Sequence, residues 1–104
     1  MKPAALILLL AMAAPALADR MPFPSDTPAS YRTECGSCHM AYQPALLSAP
    51  DWRRTIARLK DHFGTDASVD ATAHAEIAAF LERNAGNRSK AGGAGEPPRI
   101  TQTD

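Results

Sequence analysis

The tightest constraint on this chain is how little it has to build a core with. Its first 18 residues read as an export signal, with Lys2, an apolar run from Ala4 to Ala14, and Ala16-Leu17-Ala18 as the cleavage box. That run is too short to stay in a bilayer as an anchor. Cleavage after Ala18 leaves 86 residues, Asp19 to Asp104, of which 32 are apolar, and 14 of those are alanine. Eighteen larger apolar side chains remain, two of them cysteines. Chains below roughly 70–80 residues rarely stabilise themselves on one hydrophobic core, and this one is barely longer. The count excludes a multidomain enzyme, a membrane-spanning protein and a large α/β fold. It also predicts a staple.

Charge narrows the partners only by exclusion. After cleavage, ten Lys and Arg face eleven Asp and Glu. A near-neutral chain with one Trp and no basic stripe lacks the clustered cations that nucleic acid demands. Export places the chain in the periplasm, where two cysteines could pair.

Residues 19–28 hold Pro22, Pro24 and Pro28 and read as an extended lead-in. Thr27 as N-cap and Pro28 at the first helical position predict a short helix from Ala29 towards Met40. Ser48-Ala49-Pro50-Asp51 resembles a capping box and starts a second helix. Its stripe runs through Trp52, Ile56, Leu59 and Phe63, with Gly64 as the stop. A third helix is predicted from Asp70 to Ala85, with Ala73, Ile77, Phe80 and Leu81 on one side and Gly86 after it. Residues 87–104 are Gly, Pro and polar and read as a flexible tail, with Ile100 the lone apolar anchor. No segment alternates at period two, so the fold class is mostly α.

The staple is Cys35-Gly36-Ser37-Cys38-His39. On a helical turn, residues i and i+3 lie on one side, about 5 Å apart along the axis. Two thiols so placed can form thioether bonds to the two vinyl groups on one edge of a haem, and His39 then turns its imidazole to the iron. Small Gly36 and Ser37 let the porphyrin edge approach. The C-x-x-C-H string is the attachment signature of haem c. A zinc site needs four ligands, and His62 and His74 are too far apart in sequence for a finger. A thioredoxin-like pair needs a βαβ setting, and a disulfide across so short a loop would stabilise little. A large apolar cofactor also supplies the core that the side chains cannot. The expected protein is thus a small cytochrome c-like helical domain, residues 29–86, wrapped around one covalent haem.

The second axial position has several candidates. Met40 adjoins His39 and cannot reach the opposite face, and Met21 lies in the lead-in. His62 and His74 both sit near apolar stripes, and periodicity does not separate them. The carbonyl of Pro44 is a candidate acceptor for the other ring nitrogen of His39. Arg53, Arg54, Arg58 and Lys60 form a basic, solvated outer face.

The string ECGSCHMAYQPALL from Glu34 to Leu47 is followed by a Trp-led helix ending Asp61-His62-Phe63-Gly64, then by Ile77-Ala78-Ala79-Phe80-Leu81. Together these resemble the N-terminal haem segment of the bacterial dihaem cytochrome c family, from about Tyr31 to Ala85 and weakly through Pro97-Pro98-Arg99-Ile100-Thr101. The resemblance implies bis-histidine ligation, with His39 proximal and His62, from the H-F-G string, distal. It assigns His74 no role. Family members continue to a second C-x-x-C-H, so this sequence reads either as a monohaem form or as one haem segment of a longer protein. The expected function is single-electron transfer in the periplasm, not enzymatic turnover. Expected partners are redox proteins, such as another periplasmic haem protein or a membrane cytochrome, with no nucleic acid and no stable membrane insertion. The alternative is a haem protein that binds or reduces a diatomic ligand at a displaceable sixth position.

Overall fold

Proline and small capping residues decide where helical order starts. A computed structural model describes residues 22–87 and 98–100. The expected signal peptide, Met21 and most of the expected tail lie outside that range. Two α-helices dominate, α1 at Ala49–Ala57 and α2 at Ala71–Arg83, preceded by a π-helical turn at Tyr31–Cys35. Short 3-10 turns occupy Pro44–Leu46 and Leu59–Asp61. Among the described residues there is no strand, only two isolated bridges. The fold is mostly α, as the lack of alternation predicts.

The caps match their sequence signals where a free backbone donor needs them. Ser48 Oγ accepts from the Asp51 amide at 3.3 Å, and Asp70 Oδ1 accepts from the Ala73 amide at 2.8 Å. Thr27 behaves otherwise: its hydroxyl turns back to the Pro24 carbonyl. The lead-in is nevertheless docked, because Asp26 accepts hydrogen bonds from Arg83 and Asn84 at the end of α2. Those bonds, from Asn84 first, hold the Asp26 carboxyl below the usual carboxylate range.

Both helices turn their apolar faces to one core of Tyr31, Leu47, Trp52, Ile56, Ala73, Ile77, Phe80 and Leu81. The predicted α2 face is buried in full. The predicted α1 stripe holds for Trp52 and Ile56, then fails at Phe63, which is 41% exposed. The helix ends before it, as Arg58 leaves helical angles at φ −118° and ψ 26°, so a 3.6-residue period has no meaning beyond that point. Trp52 also anchors by its indole N–H, which donates to the Pro44 carbonyl at 2.7 Å. The basic residues on α1 are ion-paired: Arg53 with Glu82 on α2, Arg54 with Asp51, Arg58 with Asp61.

After α2 the chain crosses the segment that leads into α1. Gly86 N–H donates to the Leu47 carbonyl at 2.8 Å. A Cβ at Gly86 would lie 2.0 Å from the Ala45 carbonyl oxygen, a backbone atom that cannot swing aside. Gly86 is therefore demanded by a close approach, whereas α2 itself stops at Arg83 with Asn84 as cap. Where residues 87–104 are described, they are anchored: Pro98 is buried and Ile100 packs on the core. Apolar contact overrides the Gly and Pro composition at those positions.

Replacing Gly86 by Ala should cost on the order of 1–3 kcal/mol, the range for forcing atoms into a packed site. Thermal or urea unfolding of Gly86→Ala against the parent measures it. An unchanged midpoint would mean that this crossing does not hold the fold.

Candidate functional site

The π-helical turn delivers its last residue, Cys35, half-buried against the core. Burial first, and then the Glu34 charge, push its thiol up to about 11. The helix expected to run on towards Met40 ends at Gly36. There a Cβ would meet the Arg32 carbonyl oxygen at 2.3 Å, so this glycine is required by the turn itself. Cys38 thus sits beyond the helix, exposed, in a loop steadied by the Ser37 hydroxyl donating to the Glu34 carbonyl at 3.0 Å. Both thiols are free.

His39 ends this loop with its ring exposed. Its Nδ1 lies 2.8 Å from the Met40 carbonyl. A carbonyl only accepts, so Nδ1 carries the proton and Nε2 keeps its lone pair for a metal. The expected acceptor, Pro44, is already engaged by Trp52. The ring of Tyr42 stands 5.2 Å from that of His39.

His62 arrives from a different kind of element. It opens a tight turn closed by His62 N–H to the Thr65 carbonyl at 2.8 Å and Thr65 N–H back to the His62 carbonyl at 3.1 Å. Positive φ at both central residues, 51° at Phe63 and 87° at Gly64, makes it the mirror-image hairpin turn. For an aromatic residue that conformation costs about 1–2 kcal/mol. Strain of this kind gathers at functional sites.

The turn brings the His62 ring to face that of His39, with centroids 6.3 Å apart and planes 27° from parallel. With about 2.0–2.1 Å for a metal–imidazole bond and about 1.1 Å from ring nitrogen to ring centre, two imidazoles on opposite sides of one metal stand roughly 6.2–6.4 Å apart. The observed centre-to-centre separation equals that value. Burial first, then the nearby His39 and Arg99, lower the tendency of His62 to take up a proton. It is kept neutral, the form that can ligate.

The other candidates lie elsewhere. His74 is part-buried on α2, with Nε2 3.3 Å from the Ile56 carbonyl of α1. It lines a shallow groove between the helices with Trp52, Ile56 and Ala78. Met40 is 63% exposed. Among the described residues, no three His, Cys, Asp or Glu side chains gather into a metal cage. An iron inside a porphyrin asks the protein for only two axial ligands. Two neighbours of the site carried no sequence signal of their role. Phe63 packs edge-on to His62 at 5.0 Å, and the Arg99 guanidinium lies 4.3 Å from the Phe63 ring centre.

Comparison with known proteins agrees with the sequence motif. The family model for dihaem cytochrome c matches residues 31–104. Three solved structures resemble the chain. A crystal structure of DHC purified from Rhodobacter sphaeroides is 47% identical with a TM-score of 0.55, over 57% of this chain and 53% of that one. The diheme c-type cytochrome from Shewanella baltica OS155 is 48% identical with a TM-score of 0.54, over 57% and 50%. A diheme cytochrome c from Rhodobacter sphaeroides is 44% identical with a TM-score of 0.57, over 75% and 62%. No curated protein gives a significant match. The chain thus spans about half to three-fifths of the length of the structures it matches. The fold and the motif define a c-type cytochrome. The chain belongs to the dihaem cytochrome c family.

In the haem-free protein, His62 contributes to the pH dependence of stability. Its folded-state pKa is depressed, so its contribution is present above the ordinary histidine value near 6.5 and is lost as pH falls below it. Melting temperatures between pH 8 and 5 should decline, and His62→Gln should flatten that decline. Equal slopes in both proteins would assign the effect elsewhere.

Proposed function

We propose that Cys35 and Cys38 carry one haem c through thioether bonds, that His39 and His62 are its two axial ligands, and that the protein passes single electrons in the periplasm. The observation that carries this reading is the approach of the two imidazoles, 6.3 Å apart centre to centre and 27° from parallel. The count of one haem rests on the single C-x-x-C-H in this sequence. When bound, haem c supplies a one-electron iron couple.

The chain's own residues set how that couple behaves. The Met40 carbonyl fixes which nitrogen of His39 faces the metal and raises its basicity. His62, held neutral on its turn, closes the opposite side. His39 and His62 would together give the iron two strong ligands and leave no place for a substrate, which suits a carrier rather than a catalyst. Imidazole in place of a methionine sulfur holds the potential below that of a His/Met site of comparable burial. Among the described residues no helix is long and apolar enough to cross a membrane. The exchange partner is another redox protein, such as a periplasmic haem protein or a membrane cytochrome.

Expression with cytochrome c maturation machinery should give a mature protein heavier by one haem, with the mass on the peptide that holds Cys35 and Cys38. A mass without haem would remove the reading at its base.

The ligand assignment makes a second expectation. Ferrous protein should not bind carbon monoxide readily. His62→Ala should bind it readily, and His74→Ala should match the parent. The reverse pattern would move the distal ligand to α2. Ready binding by the unmutated protein would favour the alternative, a haem protein whose sixth position takes a diatomic ligand.

A further inference from the structure

The C-terminal stretch reaches back to the turn that carries His62. Pro98 is buried and Ile100 packs on the core, so Arg99 between them is held at both flanks. Its guanidinium lies over the Phe63 ring, 4.3 Å from the centre, within reach of a cation–π attraction. The Phe63 ring in turn meets the His62 ring edge-on, 5.0 Å away at 65°. Phe63 has φ 51°, a conformation that an aromatic residue leaves unless something holds it. Its ring is also 41% exposed, so core burial does not hold it. Two backbone bonds between His62 and Thr65 close the turn, and the guanidinium lies against its ring.

We propose that Arg99 is a positioning residue for the distal imidazole: it clamps Phe63 in its strained turn, and the Phe63 ring sets the plane and place of His62. The inference rests on His62 as the distal ligand and deepens that reading. The anchor, Pro98 to Ile100, is separated in sequence from the Cys35–His39 loop and from the turn itself. Its loss therefore frees His62 without touching either attachment thiol.

The test uses the full haem-loaded protein, with carbon monoxide as probe of how readily His62 leaves. Arg99→Ala should raise the carbon monoxide affinity of the ferrous protein roughly two- to tenfold, the factor matching the usual strength of a cation–π contact. Arg99→Lys, which keeps a cation over the ring, should restore much of the parent value. Phe63→Leu should abolish the effect of Arg99→Ala, since the clamp acts through the ring. Ile100→Ala controls for general loosening: it should lower the melting temperature with a smaller change in affinity per degree lost. A lower potential in Arg99→Ala with unchanged carbon monoxide affinity would overturn the clamp and leave only a charge effect. Additivity with Phe63→Leu would overturn it as well. If the parent remains closed to carbon monoxide and only His62→Ala opens it, the clamp alone fails. If the parent is already open, both readings fall together.

Discussion

A single buried tyrosine closes the loop on which the site depends. The Tyr31 ring packs against Phe80 of α2 with centroids 5.0 Å apart, and its hydroxyl donates to the Tyr42 carbonyl. Burial pushes the phenol well above its ordinary range, so it stays a protonated donor. Between residues 31 and 42 lie Cys35, Cys38 and His39. The bond fixes both ends of that loop, and the tilted ring contact ties the loop to the core. A short chain with few large side chains thereby directs one of its best-buried rings to hold the attachment segment, not to fill space. Cys38 and the His39 imidazole are left at the surface, with Cys35 half-buried behind them.

The same economy explains the opposite wall. The His62 turn carries no core residue of its own and is set by backbone bonds between His62 and Thr65. Helix α1 supplies its approach, and Trp52 locks that helix to the Pro44 carbonyl. The two histidines thus come from separately anchored segments, which lets small shifts of either change their separation. A metal bound between them would oppose such shifts in both segments at once. On the proposed assignment, cofactor binding and tertiary stability are therefore linked, as mass action requires of anything that binds only the folded state.

Much of this was legible in the sequence because it depends on local chemistry. Ser48 caps as its position suggests, and the α2 face buries Ala73, Ile77, Phe80 and Leu81 as its period dictates. The C-x-x-C-H string pointed to the c-type cytochrome class that the family match shows. The misses share another cause. Periodicity assumed that α1 continued to Phe63, but the helix leaves its angles at Arg58, and Phe63 takes a positive φ inside a turn closed by His62 and Thr65. Composition suggested a free tail, whereas Pro98 and Ile100 find apolar partners distant in sequence. The Pro44 carbonyl was one candidate acceptor for His39, and Trp52 takes it instead. Sequence spacing could not choose between His62 and His74. The choice rests on geometry, since His62 faces His39 while His74 turns to the Ile56 carbonyl.

The central claim is that one iron sits between two nearly parallel imidazoles. Electron paramagnetic resonance of the unmutated ferric protein reads that geometry directly, because parallel ligand planes split the iron's two π-bonding d orbitals and crossed planes leave them close in energy. With the planes 27° from parallel, the account predicts a rhombic low-spin spectrum with three resolved g values. A high-spin signal would contradict the second histidine. A low-spin spectrum dominated by one large g value would contradict the ring geometry on which the assignment of His62 stands.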